Sequence, residues 1–299
     1  MDAKTLFLAT RPWSFTMTFS SVTLGALLAA LRGYFDVIFY VITLGGMIAF
    51  HAATNVLNDF YDVRHGVDRL GAPTTKYRPH PSALGQASLG TILELALSLY
   101  ALTLMAGVYL AYARSPLVLV LVAAGVLGSV LYTADPVVLK AKGLGEVTVF
   151  LMWGPLIPLG SYLVQTGEVS LTPVVAAIPI GLLVALVLLA NNIRDIEYDG
   201  SVDVKTVAVM MGRKSAITLY GAMLVATYLF VPLLILVGTL PIWSLISFLT
   251  LKEAWGLWRM FQGRIPDDAD PRTAGVALHF ALLYMAALLL QILLPMRLL

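Results

Sequence analysis

The chain has 299 residues, of which 59% are hydrophobic and only 12% charged, with a mean hydropathy of +0.87 and a formal net charge of +2. That composition excludes an ordinary soluble domain. The absence of cysteine excludes disulfides, thiolate metal ligands and cysteine nucleophiles.

Continuous apolar runs of about 20 residues recur along the chain, the length a helix needs to cross the hydrocarbon core. A membrane β-barrel would instead show alternation in segments of about 10 residues, so an all-α integral membrane protein is the reading. The leader, residues 1–11, carries Asp2, Lys4 and Arg11 and reads as the approach to a first span rather than a cleaved signal. Nine spans are predicted, at about 13–31, 36–56, 88–112, 116–134, 146–164, 172–193, 215–237, 240–260 and 273–294. The connections alternate. Those at 32–35, 113–115, 165–171 and 238–239 are short; those at 57–87, 135–145, 194–214 and 261–272 are longer and polar.

Basic residues sort with the connections. The N-terminus and the long loops, with their flanks, hold fifteen lysines and arginines, and the other side holds Arg32, Arg114 and Arg297. Positive charge marks the cytoplasmic side, which places the N-terminus inside and the C-terminus outside. The chain also repeats loosely. A single transmembrane domain over 1–299 is expected, built from two four-helix halves plus a ninth helix around a central cavity.

Charge this scarce is concentrated in two places, after the second and sixth spans, and ionisable groups at such positions mark function. The first cluster runs Asn55-Val56-Leu57-Asn58-Asp59-Phe60-Tyr61-Asp62 and on to Asp68; the second runs Asn191-Asn192-Ile193-Arg194-Asp195-Ile196-Glu197-Tyr198-Asp199, with Asp203 beyond. Residues at i and i+4 share a helix face. Asn55/Asp59, Asn58/Asp62, Asn191/Asp195 and Asp195/Asp199 are therefore pairs of oxygen ligands. Magnesium takes oxygen ligands from one or two carboxylates together with substrate phosphates, and two such faces opposed would hold a diphosphate. Arg11, Lys76, Arg78, Lys140, Lys142 and Lys205 supply cations that complement one. His65, alone in a charged loop, reads as solvated rather than as a ligand.

At these residues the chain resembles the UbiA superfamily of intramembrane prenyltransferases. Asn58-Asp59-Phe60-Tyr61-Asp62, extended to Gly66-Val67-Asp68, is similar to their first motif, and Asp195-Ile196-Glu197-Tyr198-Asp199 to their second. Arg11-Pro12-Trp13-Ser14, Tyr132-Thr133-Ala134-Asp135-Pro136, Gly143-Leu144-Gly145-Glu146, Asn191-Asn192-Ile193-Arg194-Asp195 and Lys205-Thr206-Val207-Ala208 bring it nearest the menaquinone-type branch, the 1,4-dihydroxy-2-naphthoate polyprenyltransferases. The segment 74–81 departs from the loop expected of that branch and leaves the acceptor open.

The resemblance implies transfer of an isoprenyl group, geranyl or longer, from its diphosphate to an aromatic or lipid-precursor acceptor within the bilayer, with no nucleic-acid partner. It implies two Mg2+ ions held by Asn58, Asp62, Asp195 and Asp199. Asp62, Asp195, Asp199 and Tyr132 are then the catalytic group, the Tyr132 ring facing a developing allylic cation. Arg11, Asn58, Asp59, Asp68, Lys76, Arg78, Lys140, Lys142, Asn191, Asn192 and Lys205 are the substrate-binding set. No side chain announces itself as the base. A glyceryl phosphate ether-lipid precursor is the alternative acceptor. A cation-coupled transporter is the alternative of another class, disfavoured because both clusters come at helix ends rather than at mid-membrane.

Overall fold

The computed structural model describes residues 3–296, and Asp2 and Arg297 lie outside them. Among the described residues the architecture is helical throughout, and a helical segment stands at each of the nine predicted positions: α1 Pro12–Ala30, α2 Val37–Arg64, α3 Leu89–Ala113, α4 Leu117–Thr133, α5 Gly145–Thr166, α6 (Leu171–Ala176 followed by Ile178–Arg194), α7 Arg213–Leu236, α8 (Ile242–Thr250 running into Leu251–Gln262) and α9 Ala269–Leu293. Six of these, α1, α2, α3, α5, α7 and α9, are long and apolar enough to cross a membrane; α4 and the second part of α6 are shorter apolar helices. A short helix, Ala3–Ala9, precedes α1.

Local chemistry sets the ends. Asp36 caps α2 by accepting from the backbone N–H of Ile38 at 2.8 Å and of Phe39 at 3.1 Å. Ser88 caps α3 through the Thr91 N–H at 3.1 Å. Gly167, at φ 77°, closes α5 in the left-handed region that L side chains avoid. With 28 residues, α2 runs about 42 Å at 1.5 Å per residue, against a hydrocarbon core of about 30 Å. Its last turns therefore project beyond the apolar layer while still helical, and they carry the first acidic cluster.

Hydropathy did not foresee how irregular the helices are. In α5 the segment Met152–Leu156 is a π-turn containing Pro155. In α6 the helix is interrupted at Ala177, just before Pro179. Proline has no N–H to donate and crowds the preceding turn, which accounts for both. The first nine residues of α8 are 3-10 helix.

The helices pack in sequence around the bundle: α2 on α3, α3 on α4, α5 on α6, α6 on α7 and on α9, α8 on α9, and α9 back on α1. The main core gathers Leu24 and Leu28 of α1, Leu183, Leu186 and Leu189 of α6, Tyr220 and Tyr228 of α7 and Phe280 and Tyr284 of α9. Apolar side chains on the outer faces, among them Leu97, Met105, Val120, Leu127, Leu229 and Leu236, are exposed, as lipid-facing residues must be. On the inside α1 lies directly on α5: a Cβ added to Gly25 would sit 2.3 Å from the Pro158 carbonyl oxygen. The α1–α5 contact is thus close-packed, and the polar groups of the bundle converge where α2 and α6 finish.

Candidate active site

Three connections meet over the ends of α2 and α6. The Tyr198 hydroxyl donates to the Val67 carbonyl at 2.5 Å, tying the helix that follows α6 to the loop that follows α2. A backbone bridge pairs Lys142 with Lys205, tying the loop before α5 to the loop before α7. The two acidic clusters, more than 130 positions apart in sequence, are brought together by these contacts.

On the α2 side the carboxylates divide into two groups. Asp59 and Asp68 are buried and engaged by cations. Arg11 donates to Asp59 through a very short ion pair, and Arg78 donates to both Asp59 oxygens at 3.0 and 3.2 Å and lies 3.6 Å from Asp68. Asp68 is within 2.7 Å of His80 Nε2 and accepts from Thr74 Oγ1 at 2.6 Å. Burial alone would raise the Asp68 pKa, but these hydrogen bonds and the neighbouring His80 and Arg78 hold it well below the usual carboxylate range. Asp59, Asp68 and His80 bring ligand atoms within 4.8 Å of one another. With two guanidinium groups already against Asp59, the cluster is charge-compensated and orders the arginines.

Asp62 is different. It accepts from Asn58 Nδ2 at 2.8 Å and forms a very short ion pair with Lys140, whose Nζ also reaches Asn58 Oδ1 at 2.6 Å. Asn58, Asp62 and Lys140 therefore form one unit, as the i, i+4 spacing predicted, with the lysine added from the α4–α5 loop.

On the α6 side, Asp195 stands at the junction between Ile178–Arg194 and the short helix Ile196–Ser201. The sequence reading placed Asp195 and Asp199 on one face of one helix. The helix in fact breaks at Asp195, yet the i to i+4 backbone bonds run through it, from Asp195 N to Asn191 O at 3.0 Å and from Asp199 N to Asp195 O at 2.9 Å, so the shared face survives. Arg194 grips Asp195 at 2.9 and 2.8 Å, reaches Asn191 Oδ1 at 2.7 Å and pairs with Asp270 of α9. Asn192 points the other way and donates to Glu146 Oε1 at 2.9 Å. Glu197 pairs with Arg213.

Asp199 lies next to Tyr198, whose hydroxyl joins the two clusters. Its carboxyl is pushed up to about 7, first by burial and then by the charges of Asp195, Asp62 and Asp68, against which Lys140 only partly compensates. A set of crowded, oxygen-only donors with insufficient positive charge among them is the chemistry a divalent cation satisfies. Asn58, Asp62, Asp195 and Asp199 are donors of that kind, with Asp62 held by Lys140 and Asp195 by Arg194; Asp59 and Asp68 are buried among arginine and histidine.

The other predicted residues are placed as follows. Tyr132 ends α4 within electrostatic reach of both Asp62 and Glu146. Lys142 donates to the Pro136 carbonyl at 3.4 Å. Lys205 is 64% exposed, 3.6 Å from Asp203, and Lys76 is exposed on the helix Thr74–Tyr77. These three lysines lie on the rim rather than in the buried network. His65 pairs with Asp135 at 2.9 Å. Sequence reasoning missed His80 and Glu146, because each is recruited by a partner 12 or more residues away and neither stands at a ligand-like spacing.

Below this polar end, between α2, α3, α4 and α5, lies an apolar pocket lined by Ile42, Met47, Phe50, Leu110, Leu121 and Leu156 among others, with His51 and Thr18 at its polar margin. His51 stands 11 residues before Asp62 on α2, about 16 Å along the helix, so the pocket lies deeper in the bundle than the carboxylates.

An acidic, cation-rich rim thus lies over an apolar pocket inside a helical membrane bundle. The model of the UbiA prenyltransferase family matches residues 19–283, and the chain belongs to that family; it is a prenyl-transferring enzyme. It is 30% identical over 253 residues to the 1,4-dihydroxy-2-naphthoate octaprenyltransferase of Bacillus subtilis (strain 168), covering 83% of this chain and 79% of that protein. Among solved structures, a UbiA homolog from Aeropyrum pernix K1 superposes with a TM-score of 0.71 at 19% identity, covering 92% of this chain and 98% of that one. A UbiA homolog from Archaeoglobus fulgidus, bound to GPP and Mg2+, gives 0.67 at 16% identity, covering 95% and 99%.

Proposed function

We propose that this protein transfers an isoprenyl group from an isoprenyl diphosphate to an aromatic quinone precursor of the 1,4-dihydroxy-2-naphthoate class, with Mg2+, at the cytoplasmic side of a membrane. The observation that carries the reading is the joining of the two acidic helix ends at one end of the bundle, through the Tyr198 hydroxyl on the Val67 carbonyl, with Asn58 and Asp62 on one side and Asp195 and Asp199 on the other. The acceptor class is supported by the Bacillus subtilis relative and the donor and metal by the ligands of the Archaeoglobus fulgidus neighbour.

Asn58 and Asp62 on one side and Asp195 and Asp199 on the other would hold the metal. When bound, Mg2+ supplies Lewis-acid neutralisation of the leaving diphosphate. Lys140, held by Asn58 and Asp62, and Arg11 and Arg78, held by Asp59, are preorganised to complement the same phosphates, which avoids reorganising them during reaction. The pocket below takes the apolar tail and keeps water from the reacting carbon. Tyr132 turns its ring toward the allylic charge that develops there. Asn191, through Arg194, keeps Asp195 oriented.

The direct test is an acceptor panel with labelled geranylgeranyl diphosphate and Mg2+, comprising 1,4-dihydroxy-2-naphthoate, another aromatic precursor and a glyceryl phosphate ether precursor. Labelled product from the naphthoate with equimolar diphosphate release is the expected result. Transfer to the glyceryl phosphate alone would overturn the acceptor assignment, and substrate movement without diphosphate release would indicate a transporter.

A further inference from the structure

Glu146 is a buried carboxylate that the reading above leaves without a task. It lies in the first turn of α5 and is 6% exposed. Asn192 Nδ2 satisfies Oε1 at 2.9 Å, while Oε2 is sealed from solvent and has no hydrogen-bond partner. Leaving a buried acceptor unsatisfied costs about 1–3 kcal/mol, more when it is charged, and such an atom in a native structure calls for a ligand or a role. The other buried side chains of comparable chemistry are engaged: His51 by Thr18 at 2.8 Å and Ser14 at 3.3 Å, His80 by Asp68.

The location of the orphan oxygen is specific. Its anchor, Asn192, precedes Asp195 by three residues on α6, and Gly145 lies against the Lys140 backbone, with a Cβ there only 3.5 Å from the Lys140 Cα. Tyr132 is within electrostatic reach of Glu146 and of Asp62 alike. Glu146 therefore lies beside the rim residues, bonded to Asn192 near Asp195 and following Gly145 against Lys140, on the side of the diphosphate end where the proposed donor's reacting carbon would lie.

We propose that Glu146 Oε2 receives the hydroxyl of a phenolic acceptor and takes its proton as the ring is alkylated, with Asn192 holding the carboxylate in place; this rests on the prenyl-transfer reading. The donor C1–O bond breaks with its electron pair leaving on the diphosphate. The acceptor ring carbon beside the hydroxyl bonds to C1, and the hydroxyl proton passes to Oε2, leaving a ring ketone. Loss of that ring carbon's carboxylate as carbon dioxide returns the electrons to the ring. The oxygen then recovers its proton from Glu146.

Glu146→Gln keeps Oε1 and its bond from Asn192 but replaces the accepting Oε2 with a donating amide. In purified protein with labelled donor, Mg2+ and 1,4-dihydroxy-2-naphthoate, kcat/KM for the acceptor is expected to fall by about 10²-fold, with the donor's Kd and KM unchanged. Methylating the acceptor hydroxyls should cost wild-type enzyme a similar factor and cost the Glu146→Gln enzyme nothing further. Acceptor kinetics within threefold of wild type in Glu146→Gln, or a methyl ether used by wild type as well as the free phenol, would overturn the inference; the latter needs no variant to fold. Wild-type turnover in the same assay reports the parent reading, so either failure beside active wild type removes Glu146 alone.

Discussion

Asp59 and Asp62 are three positions apart on α2 and have opposite environments. Asp59 is buried between Arg11 and Arg78, whereas Asp62 shares Lys140 with Asn58. Their substitutions should therefore differ. Asp62→Ala or Asp195→Ala is expected to lower kcat by at least about 10²–10³-fold, the scale of losing preorganised charge stabilisation, at any practical Mg2+ concentration. Full activity in either purified variant contradicts the metal assignment. Asp59→Asn frees two guanidinium groups and should raise the donor KM more than it lowers kcat, read from donor titrations.

Asp199 adds a pH dependence. Its folded pKa of about 7 lies above the ordinary carboxylate value. The metal-free fold thus binds more protons than the unfolded chain between about pH 4 and 7, and that contribution to stability is complete below this window and lost as pH rises through it. Mg2+ should restore it, so the rise in thermal midpoint on adding Mg2+ is expected to be larger at pH 8 than at pH 6, and to lose that difference in Asp199→Asn. A Mg2+ effect independent of pH contradicts the assignment. At this scale the sequence was readable where polar side chains four apart share a helix face, as with Asn58/Asp62 and Asp195/Asp199. It was silent on His80 and Glu146, whose partners are fixed only by tertiary folding.

The helices place these residues through close backbone contacts. At the π-turn of α5, Gly154 meets Gly181 of α6, and a Cβ on Gly181 would come within 2.7 Å of the Gly154 Cα. Nothing there is a flexible side-chain end, so α5 or α6 must shift. Gly181→Ala is expected to destabilise the protein by about 1–3 kcal/mol, seen as a lowered thermal midpoint in detergent; an unchanged midpoint would mean that the two backbones are not in contact. Helix positions were legible because hydropathy measures length and apolarity. The π-turn at Met152–Leu156, the interruption at Ala177 and the 3-10 opening of α8 were not, since a run of apolar residues looks the same whichever carbonyl each N–H finds.

For the whole molecule, both clusters and the long loops gather at one end of the bundle, while Glu168 and Gly167 close α5 at the other. We propose from the charge asymmetry that the first end faces the cytoplasm. Because the chain has no cysteine, single cysteines report side directly. Arg69→Cys and Lys214→Cys, both exposed at the polar end, should resist a membrane-impermeant maleimide in intact cells, and Glu168→Cys should react. The reverse pattern would invert the topology and leave the chemistry untouched.

The joint grip of α2 and α6 on one diphosphate is tested most directly by equilibrium binding of geranylgeranyl diphosphate to purified protein with and without Mg2+, in wild type, Asp62→Ala and Asp199→Ala. Binding that requires Mg2+ and is lost in each variant is the predicted result. Metal-independent binding, or binding untouched by loss of either carboxylate, would contradict it.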